Sequence, residues 1–242
     1  MLNAENALIP FSVSPLPAGP WLVFAPHADD ETYGMGGSLL RARDAGIAVH
    51  VVVVTDGALG GDSEDLVQVR RDEVNEISRR LRLASLTHWA EPDRGVQADD
   101  RLMAMALAAI ERTRPGAVFF PGPLELHPDH RAVGLLVWGG LQQSRAEGIY
   151  AQALAFEIGV QNPANMLIDI TSCQAEKADL MAVYGSQNSQ NNYPDLVTAL
   201  DKGRTFTLPR EVAYAEAFYR YSESDLNAPL AAVTHRIIDL YL

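Results

Sequence analysis

Two short segments of the sequence combine histidine with aspartate at a spacing that suits a metal ion. The first is Pro-His-Ala-Asp-Asp-Glu at residues 26–31, in which His27 and Asp30 are three residues apart. In the first turn of a helix, this spacing brings both side chains to the same side. An imidazole and a carboxylate suit a borderline divalent metal such as zinc. Asp29 is offset by one residue, which leaves it free to take a proton from metal-bound water.

The same segment also has a purely structural interpretation. Aspartate just before a helix, followed by acidic residues in the first turn, is common in proteins. Such side chains accept hydrogen bonds from free backbone N–H groups and oppose the helix dipole. Taken alone, residues 26–31 support helix capping and metal binding about equally.

The second segment is His-Pro-Asp-His at residues 127–130. His130 would complete a set of two histidines and one carboxylate, with open positions for water and substrate. His127 would then face the substrate and, when protonated, stabilise an oxyanion or protonate a leaving group. Asp129 would hold a histidine in one tautomer. Alternatively, Asp129 starts a helix and the histidines lie on the surface. Since each segment follows a predicted strand, a shared metal site is the stronger interpretation.

The elements that position these segments alternate between strand and helix. Apolar, β-branched runs predict strands at residues 21–25, 48–55, 86–90, 117–121, 151–159 and 166–170. Amphipathic periodicity predicts helices at residues 31–45, 65–83, 99–114, 129–143 and 175–184. From residue 187 onward, we expect irregular structure except near 211–219. This alternation is typical of βαβ units, so we expect an α/β fold with a mostly parallel sheet flanked by helices.

Glycines at residues 34, 36 and 37 resemble a nucleotide-binding loop only loosely. They fall inside a predicted helix, and the third glycine of the dinucleotide motif is missing at the required spacing. We therefore exclude a dinucleotide site and expect these glycines to let the helix approach the sheet closely.

Composition restricts the classes of partner. The 242 residues include 31 acidic and 19 basic side chains, which gives a net charge of −12. That charge argues against a general nucleic-acid binder and against adsorption to an anionic membrane. The single cysteine, Cys173, excludes an intrachain disulfide and a cysteine-rich metal site. Because no secretory signal and no membrane-spanning run are evident, we expect a cytoplasmic protein.

The two segments, together with a third motif, resemble the PIG-L type (LmbE-like) metal-dependent N-deacetylases. The motifs that carry this resemblance are PHADDE at 26–31, TDG at 55–57 and HPDH at 127–130. Weaker matches are Arg70-Arg71-Asp72-Glu73 and, more loosely, Lys177 followed by Ser186-Gln187. The similarity runs from about residue 20 to 190. It implies a Rossmann-like sheet. The length of 242 residues predicts a single domain over residues 1–242, in which residues 191–242 pack on the motif-bearing core.

The resemblance also implies a role for each matching residue. It makes His27, Asp30 and His130 the ligands of a metal, usually Zn²⁺, with another divalent metal left open. It makes Asp29 the catalytic base and His127 the partner of the oxyanion. The implied activity is removal of acetyl from an N-acetylamino sugar of the N-acetylglucosamine type, or from a sugar conjugate.

Some features of the family pattern transfer less directly. Arg70 or Arg71 would contact the substrate, although a solvated helix face explains them about as well. Ala28 replaces the usual proline of the first motif, which should leave the ligands in place. Glu125 stands where some relatives have a tyrosine thought to assist catalysis, so no tyrosine role is transferred.

Two other functions remain open from the sequence. One is hydrolysis of a non-sugar N-acyl compound, and the other is sugar binding without catalysis on the same fold. Asn188, Asn191, Asn192 and Tyr193 would line a sugar pocket, or they form a plain surface loop, which we slightly favour. The sequence also leaves open whether the chain forms a homo-oligomer.

Overall fold

A seven-stranded sheet organises the structure, a computed structural model that describes residues 2–242. The strands are β1 (Trp21–Ala25), β2 (Val49–Thr55), β3 (Ser85–Glu91), β4 (Ala117–Pro121), β5 (Gln152–Phe156), β6 (Met166–Asp169) and β7 (Ala215–Arg220). Their order across the sheet is β3-β2-β1-β4-β5-β7-β6. The first five strands pair in parallel, whereas β7 runs antiparallel to both β5 and β6. The expected mostly parallel, Rossmann-like sheet is therefore confirmed.

Helices connect most of the strands. They are α1 (Asp30–Asp44), α2 (Leu66–Leu81), α3 (Asp100–Thr113), α4 (Pro128–Ala146), α5 (Gln174–Met181), α6 (Gly185–Asn188), α7 (Tyr193–Gly203) and α8 (Leu230–Asp239). Single turns of 3-10 helix occur at Glu5–Ala7, Thr171–Cys173 and Asp225–Asn227. Within residues 2–242, no helix combines the length and the apolar character that crossing a membrane requires.

Both faces of the sheet are covered, which explains why the parallel strands read as continuous apolar runs. Trp21 and Val23 of β1 join a core with residues of α1, α2 and α5. Leu22 and Phe24, which alternate with them, join a second core with residues of α3, α4 and α8. In a strand buried on both sides, apolar residues at every position are stabilising. Its sequence therefore lacks the alternation of apolar and polar residues seen in strands with one exposed face.

The expectation of an irregular tail from residue 187 onward was wrong outside residues 211–219. The segment forms the helices α7 and α8, whereas the excepted stretch near 211–219 overlaps strand β7. Helix α8 buries Leu230, Val233, Thr234 and Ile237 on one face. This spacing of three and four residues is typical of an amphipathic helix and is visible in the sequence. Helix α7 gives a weaker signal because it buries only Val197 and Asp201.

The glycines of α1 serve close packing, as expected from the sequence. A Cβ atom on Gly34 would lie 2.5 Å from the carbonyl oxygen of Glu157. A Cβ atom on Gly37 would lie 2.6 Å from Cγ2 of Ile170. The helix is also interrupted at Met35, whose φ of −149° is not helical. Small residues therefore allow α1 to lie directly on the sheet and on the segment after β6.

The sheet order creates a crevice at one place. Strands β1 and β4 are neighbours, although β2 and β3 separate them in the sequence. The chain leaves β1 toward α1 on one face and leaves β4 toward α4 on the other. In such sheets, ligands bind outside the carboxyl ends of the strands at the point where the strand order reverses. The PHADDE and HPDH segments follow these two strands.

Candidate active site

A cleft of about 780 Å³ opens at the carboxyl ends of β1 and β4. Its volume lies within the range of small-molecule sites. The five side chains predicted to bind metal or to act in catalysis all line it, namely His27, Asp29, Asp30, His127 and His130. The fold therefore brings together two segments that are about one hundred residues apart in the sequence.

The Asp30 carboxylate lies between two of the histidines. Its Oδ2 atom is 3.1 Å from Nδ1 of His27 and 3.3 Å from Nε2 of His130. Ligands of a tetrahedral ion with bonds of about 2.1 Å are about 3.4 Å apart, close to both distances. A wider set of nitrogen atoms, from His27, His127 and His130, lies within 4.8 Å of one another.

The second nitrogen of each of these two imidazoles faces a carboxylate. Nε2 of His27 is 3.2 Å from Oδ2 of Asp129 and 3.3 Å from Oδ1 of Asp93. Nδ1 of His130 is 3.4 Å from Oε2 of Glu125. A carboxylate on the far side of an imidazole fixes the tautomer and orientation of a metal-binding histidine. The histidine that Asp129 was expected to hold is thus His27, and Asp93 is a second carboxylate partner of the same ring.

Glu125 holds more than one part of the site. Its buried carboxylate accepts hydrogen bonds from the backbone N–H of Ile158 at 2.9 Å and of Gly159 at 3.2 Å. The side chain of Asn162 donates to the same carboxylate at 3.3 Å. Glu125 therefore ties His130 to the loop after β5, and that loop forms one wall of the cleft.

Asp29 adopts a backbone conformation that is unfavourable for a residue with a side chain. Its φ is 145° and its ψ is −31°, and such strain costs about 1–3 kcal/mol. The Glu31 carboxylate accepts a hydrogen bond from the Asp29 N–H at 3.2 Å and so supports the conformation. In the first turn of α1, the N–H groups of Thr32 and Tyr33 donate to the Asp29 carbonyl rather than to its side chain. The side chain thus makes no capping bond, which removes the capping interpretation for it.

The two adjacent aspartates differ in their electrostatic surroundings. Burial raises the pKa of Asp29 well above its usual range, although the Arg70 guanidinium opposes the shift. Burial also acts to raise the pKa of Asp30, but attraction to His130 and hydrogen bonds to both histidines hold that pKa far below its usual range. Asp30 is therefore an anion at the centre of the histidine cluster, whereas Asp29 is a carboxyl group that can hold a proton.

His127 caps helix α4 and remains partly accessible. Its Nδ1 atom accepts a hydrogen bond from the backbone N–H of Asp129 at 3.2 Å. The neutral ring therefore carries its proton on Nε2. Burial lowers the pKa of His127, and positive charge on His27 and His130 lowers it further. In the neutral ring, the Nε2–H group is the donor available to an oxyanion, and the protonated ring expected from the sequence stays a prediction.

The two arginines of α2 are in different places. Arg70 is 3% exposed and lines the cleft, and Arg71 does not line it. Arg70 donates to the Asp29 carboxylate and to the Ala28 carbonyl, both at 3.2 Å. Gly57, the glycine of the TDG motif, has a φ of +67° and leaves room for this side chain, since a Cβ there would lie 2.9 Å from Arg70 Nε. Arg70 thus positions Asp29, a role that the sequence alone did not indicate.

The asparagine-rich segment between the end of α6 and the start of α7 lies partly in the cleft. Asn191 and Tyr193 line it, together with Gln187. Asn188 instead accepts a hydrogen bond from the Tyr33 hydroxyl at 2.7 Å, and Asn192 donates to Asp195 at 2.9 Å. Of the two alternatives for this segment, the slightly favoured plain surface loop does not fit Asn191 and Tyr193.

The fold and the site define a class of protein: a Rossmann-like α/β protein with a cluster of histidines and carboxylates at the switch point of its sheet. Residues 22–139 match the family model described as PIG-L, GlcNAc-PI de-N-acetylase. The chain thus carries a PIG-L type segment, and the resemblance inferred from the motifs is confirmed.

Individual relatives agree with this family. The chain is 30% identical over 123 residues to the diacetylchitobiose deacetylase of Thermococcus kodakarensis. The aligned region covers 48% of this chain and 46% of that protein. The chain is 25% identical over 225 residues to a probable N-acetyl-alpha-D-glucosaminyl L-malate deacetylase 2 of Bacillus anthracis, covering 85% and 96%. The chain therefore spans about half the length of the first of these relatives and nearly all of the second.

Solved structures share the fold. The N,N'-diacetylchitobiose deacetylase of Pyrococcus horikoshii superposes with a TM-score of 0.75 at 22% identity, covering 88% of this chain and 85% of that one. The 4-carboxy-2-hydroxymuconate hydratase of Pseudomonas putida superposes with a TM-score of 0.72 at 20% identity, covering 87% and 96%. Because proteins named for two different reactions share this architecture, the reaction has to be argued from the side chains of the cleft.

Proposed function

We propose that the protein is a divalent-metal-dependent hydrolase that removes the acetyl group from an N-acetylamino sugar or sugar conjugate. The observation that carries the proposal is the arrangement of Asp29 beside the cluster of His27, Asp30 and His130. A protein that only bound sugar would have no use for a strained, buried carboxyl group next to a set of metal-ligand atoms.

The donor set fits a metal ion. Nδ1 of His27, Oδ2 of Asp30 and Nε2 of His130 would hold it, because the Asp30 oxygen lies 3.1 Å from the first nitrogen and 3.3 Å from the second, and each imidazole has a carboxylate behind it. Two nitrogens and one carboxylate oxygen favour zinc and leave positions for substrate and water. A bound divalent ion would supply Lewis-acid polarisation of the acetamide carbonyl.

The chain supplies the proton transfer and the positioning. Asp29 accepts a proton from the attacking water and returns it to the leaving amine, which fits a carboxyl group whose pKa burial raises. Arg70 and the backbone bond to Glu31 hold Asp29 in one orientation before substrate arrives. His127 donates a hydrogen bond to the oxyanion of the tetrahedral intermediate. The amide side chain of Gln187 offers contacts to sugar hydroxyls.

A substrate panel tests the proposal. Purified protein loaded with zinc would be assayed for free amine and for acetate on N-acetylglucosamine, diacetylchitobiose, N-acetylglucosaminyl L-malate and N-acetyl amino acids. We expect stoichiometric amine and acetate from at least one sugar, loss of activity after chelation, and recovery on adding metal. Release from N-acyl amino acids alone would favour the non-sugar alternative. Sugar binding without release would favour a non-catalytic protein.

Replacing Arg70 separates positioning from a solvated helix face. Since Arg70 holds Asp29, we expect Arg70→Gln to lower kcat by roughly 10–100-fold, the scale that a misplaced catalytic group produces. Arg71→Gln is the matched comparison, and we expect a change of less than about twofold because Arg71 lies off the cleft. Steady-state kcat and KM on the best sugar substrate check both. Equal effects of the two variants would contradict the assignment.

Replacing Glu125 tests the carboxylate behind His130. We expect Glu125→Gln to weaken metal binding by roughly 10–100-fold, because the imidazole loses its charged partner. Competition with a chromogenic chelator measures the affinity without reference to catalysis. Glu147→Gln, at the exposed end of α4, is the control. Unchanged metal affinity in Glu125→Gln, with an unchanged melting temperature, would rule out this role.

A further inference from the structure

We infer that the substrate is an N-acetylamino sugar joined to an uncharged apolar or aromatic group, and that this group lies against an apolar rim of the cleft. The rim consists of Leu59, Leu126 and Tyr193. The inference rests on the proposed function, since it names the substrate class of the same cleft.

The three rim residues are large apolar side chains that remain accessible. Leu126 is 76% exposed, Leu59 is 58% exposed and Tyr193 is 36% exposed, and all three line the cleft. They come from three separate elements, the loop after β4, the loop after β2 and the start of α7. Single exposed leucines are ordinary on protein surfaces. Several that converge on one cleft mark a surface that gains free energy when a ligand covers it.

The rim lies next to the reacting groups. Leu126 directly precedes His127, the residue proposed to face the oxyanion. Asp29, Asp30 and His130 are buried, whereas the rim is exposed, so the reacting groups form the inner part of the cleft. A sugar whose acetamide reaches the inner part would direct an attached group outward past the rim. The volume of about 780 Å³ lies toward the upper end for small-molecule sites, which suits a ligand larger than one sugar ring.

Charge argues against an acidic attached group. Carboxylates outnumber arginines five to two among the lining residues, which are Asp29, Asp30, Asp62, Asp93, Glu125, Arg70 and Arg94. With His27 and His130 neutral, as ligands of a divalent ion must be, and with Asp29 ionised, as a base must be, the ion would offset only two of the three excess negative charges. Arg70 is paired with Asp29, so Arg94 alone is available for an anion, and Asp62 and Asp93 line the same cleft. An uncharged group avoids this repulsion, whereas a carboxylate or phosphate would meet it.

The test compares methyl and octyl N-acetyl-β-glucosaminides with N-acetylglucosaminyl L-malate, with the octyl compound below its micellar concentration. We expect kcat/KM for the octyl compound to exceed that for the methyl compound by at least about tenfold, mainly through KM. We expect the malate conjugate to fall below the methyl compound. In Leu126→Ser, the ratio of kcat/KM for the octyl compound to that for the methyl compound should fall about threefold or more. The free energy of fully burying a leucine side chain corresponds to at least that factor.

Leu135→Ser is the matched control, because Leu135 is 47% exposed on α4 but does not line the cleft. We expect this control to keep the wild-type ratio, and melting temperatures confirm that both variants fold. Equal kcat/KM for the octyl and methyl compounds, preference for the malate conjugate, or an unchanged ratio in Leu126→Ser would each overturn the inference while the deacetylase function stands. Failure to release amine from any N-acetylated sugar would instead overturn the proposed function itself.

Discussion

The Asp29→Asn variant is expected to keep its metal while kcat falls by roughly 10²–10⁴-fold, the usual contribution of a general acid–base group. Asparagine has the same size as aspartate and keeps an oxygen for the bond from Arg70, but it cannot accept the proton of the attacking water. KM should change little, because the substitution leaves the shape of the cleft intact. Metal content by elemental analysis and steady-state kinetics on the best sugar substrate measure these quantities.

The control for Asp29→Asn is Asp65→Asn. Asp65 precedes α2 as Asp29 precedes α1, and neither side chain makes a capping bond. Asp65 is exposed, so we expect near-normal kcat from its variant. If Asp29→Asn retained both its metal and a near-normal kcat, Asp29 would not be the base and the proposed mechanism would fail.

The Asp30→Ala variant is expected to lose metal and activity together. Asp30 is the shared partner of His27 and His130, so its removal takes away one ligand atom and the anion between the two imidazoles. We expect less than about one-tenth of the wild-type metal content after gel filtration, since removing one of three ligands costs more than the 10–100-fold typical of outer partners.

Because Asp30 also accepts a hydrogen bond from the His27 backbone at 2.8 Å, its removal can disturb the fold. His130→Gln therefore serves as a second variant, and circular dichroism reports whether each protein is folded. Folded variants that bind metal at full stoichiometry would show that the ligands lie elsewhere among the donors near His27, such as Asp93 and Asp129.

The central strands could be predicted from the sequence because they are buried on both sides and therefore appear as continuous apolar runs. Strands β1 and β4 have the bounds that their apolar runs predict, and α1 is displaced by one residue. The segment after residue 187 was missed for a different reason. Helix α7 buries only Val197 and Asp201, and the position of β7 between β5 and β6 depends on strand pairing that no local pattern specifies. Only the periodic apolar face of α8 was available in the sequence and overlooked.

The candidate site shows a similar division. His27, Asp30 and His130 carry motif spacing, so they were predicted, and the fold brings them into one cleft. Asp93 lies in no motif, and Glu125 stands where some relatives have a tyrosine, so neither was predicted as a histidine partner. Both reach the histidines because β3 and β4 end at the same edge of the sheet. The bond between Arg70 and Asp29 likewise depends on the turn at Gly57. Tertiary partners of this kind have no local sequence signature.

The position of β7 has a consequence for how the chain folds. Strand β6 pairs only with β7 in the sheet, and β7 lies between β5 and β6. During synthesis, β5 and β6 therefore present open edges until residues near 220 have left the ribosome, and such edges invite pairing with other chains. The Glu216 carboxylate of β7 also accepts bonds from the backbone of Gly37 and Ser38 in α1. The helix that carries Asp30 thus acquires this support only after β7 has been synthesised.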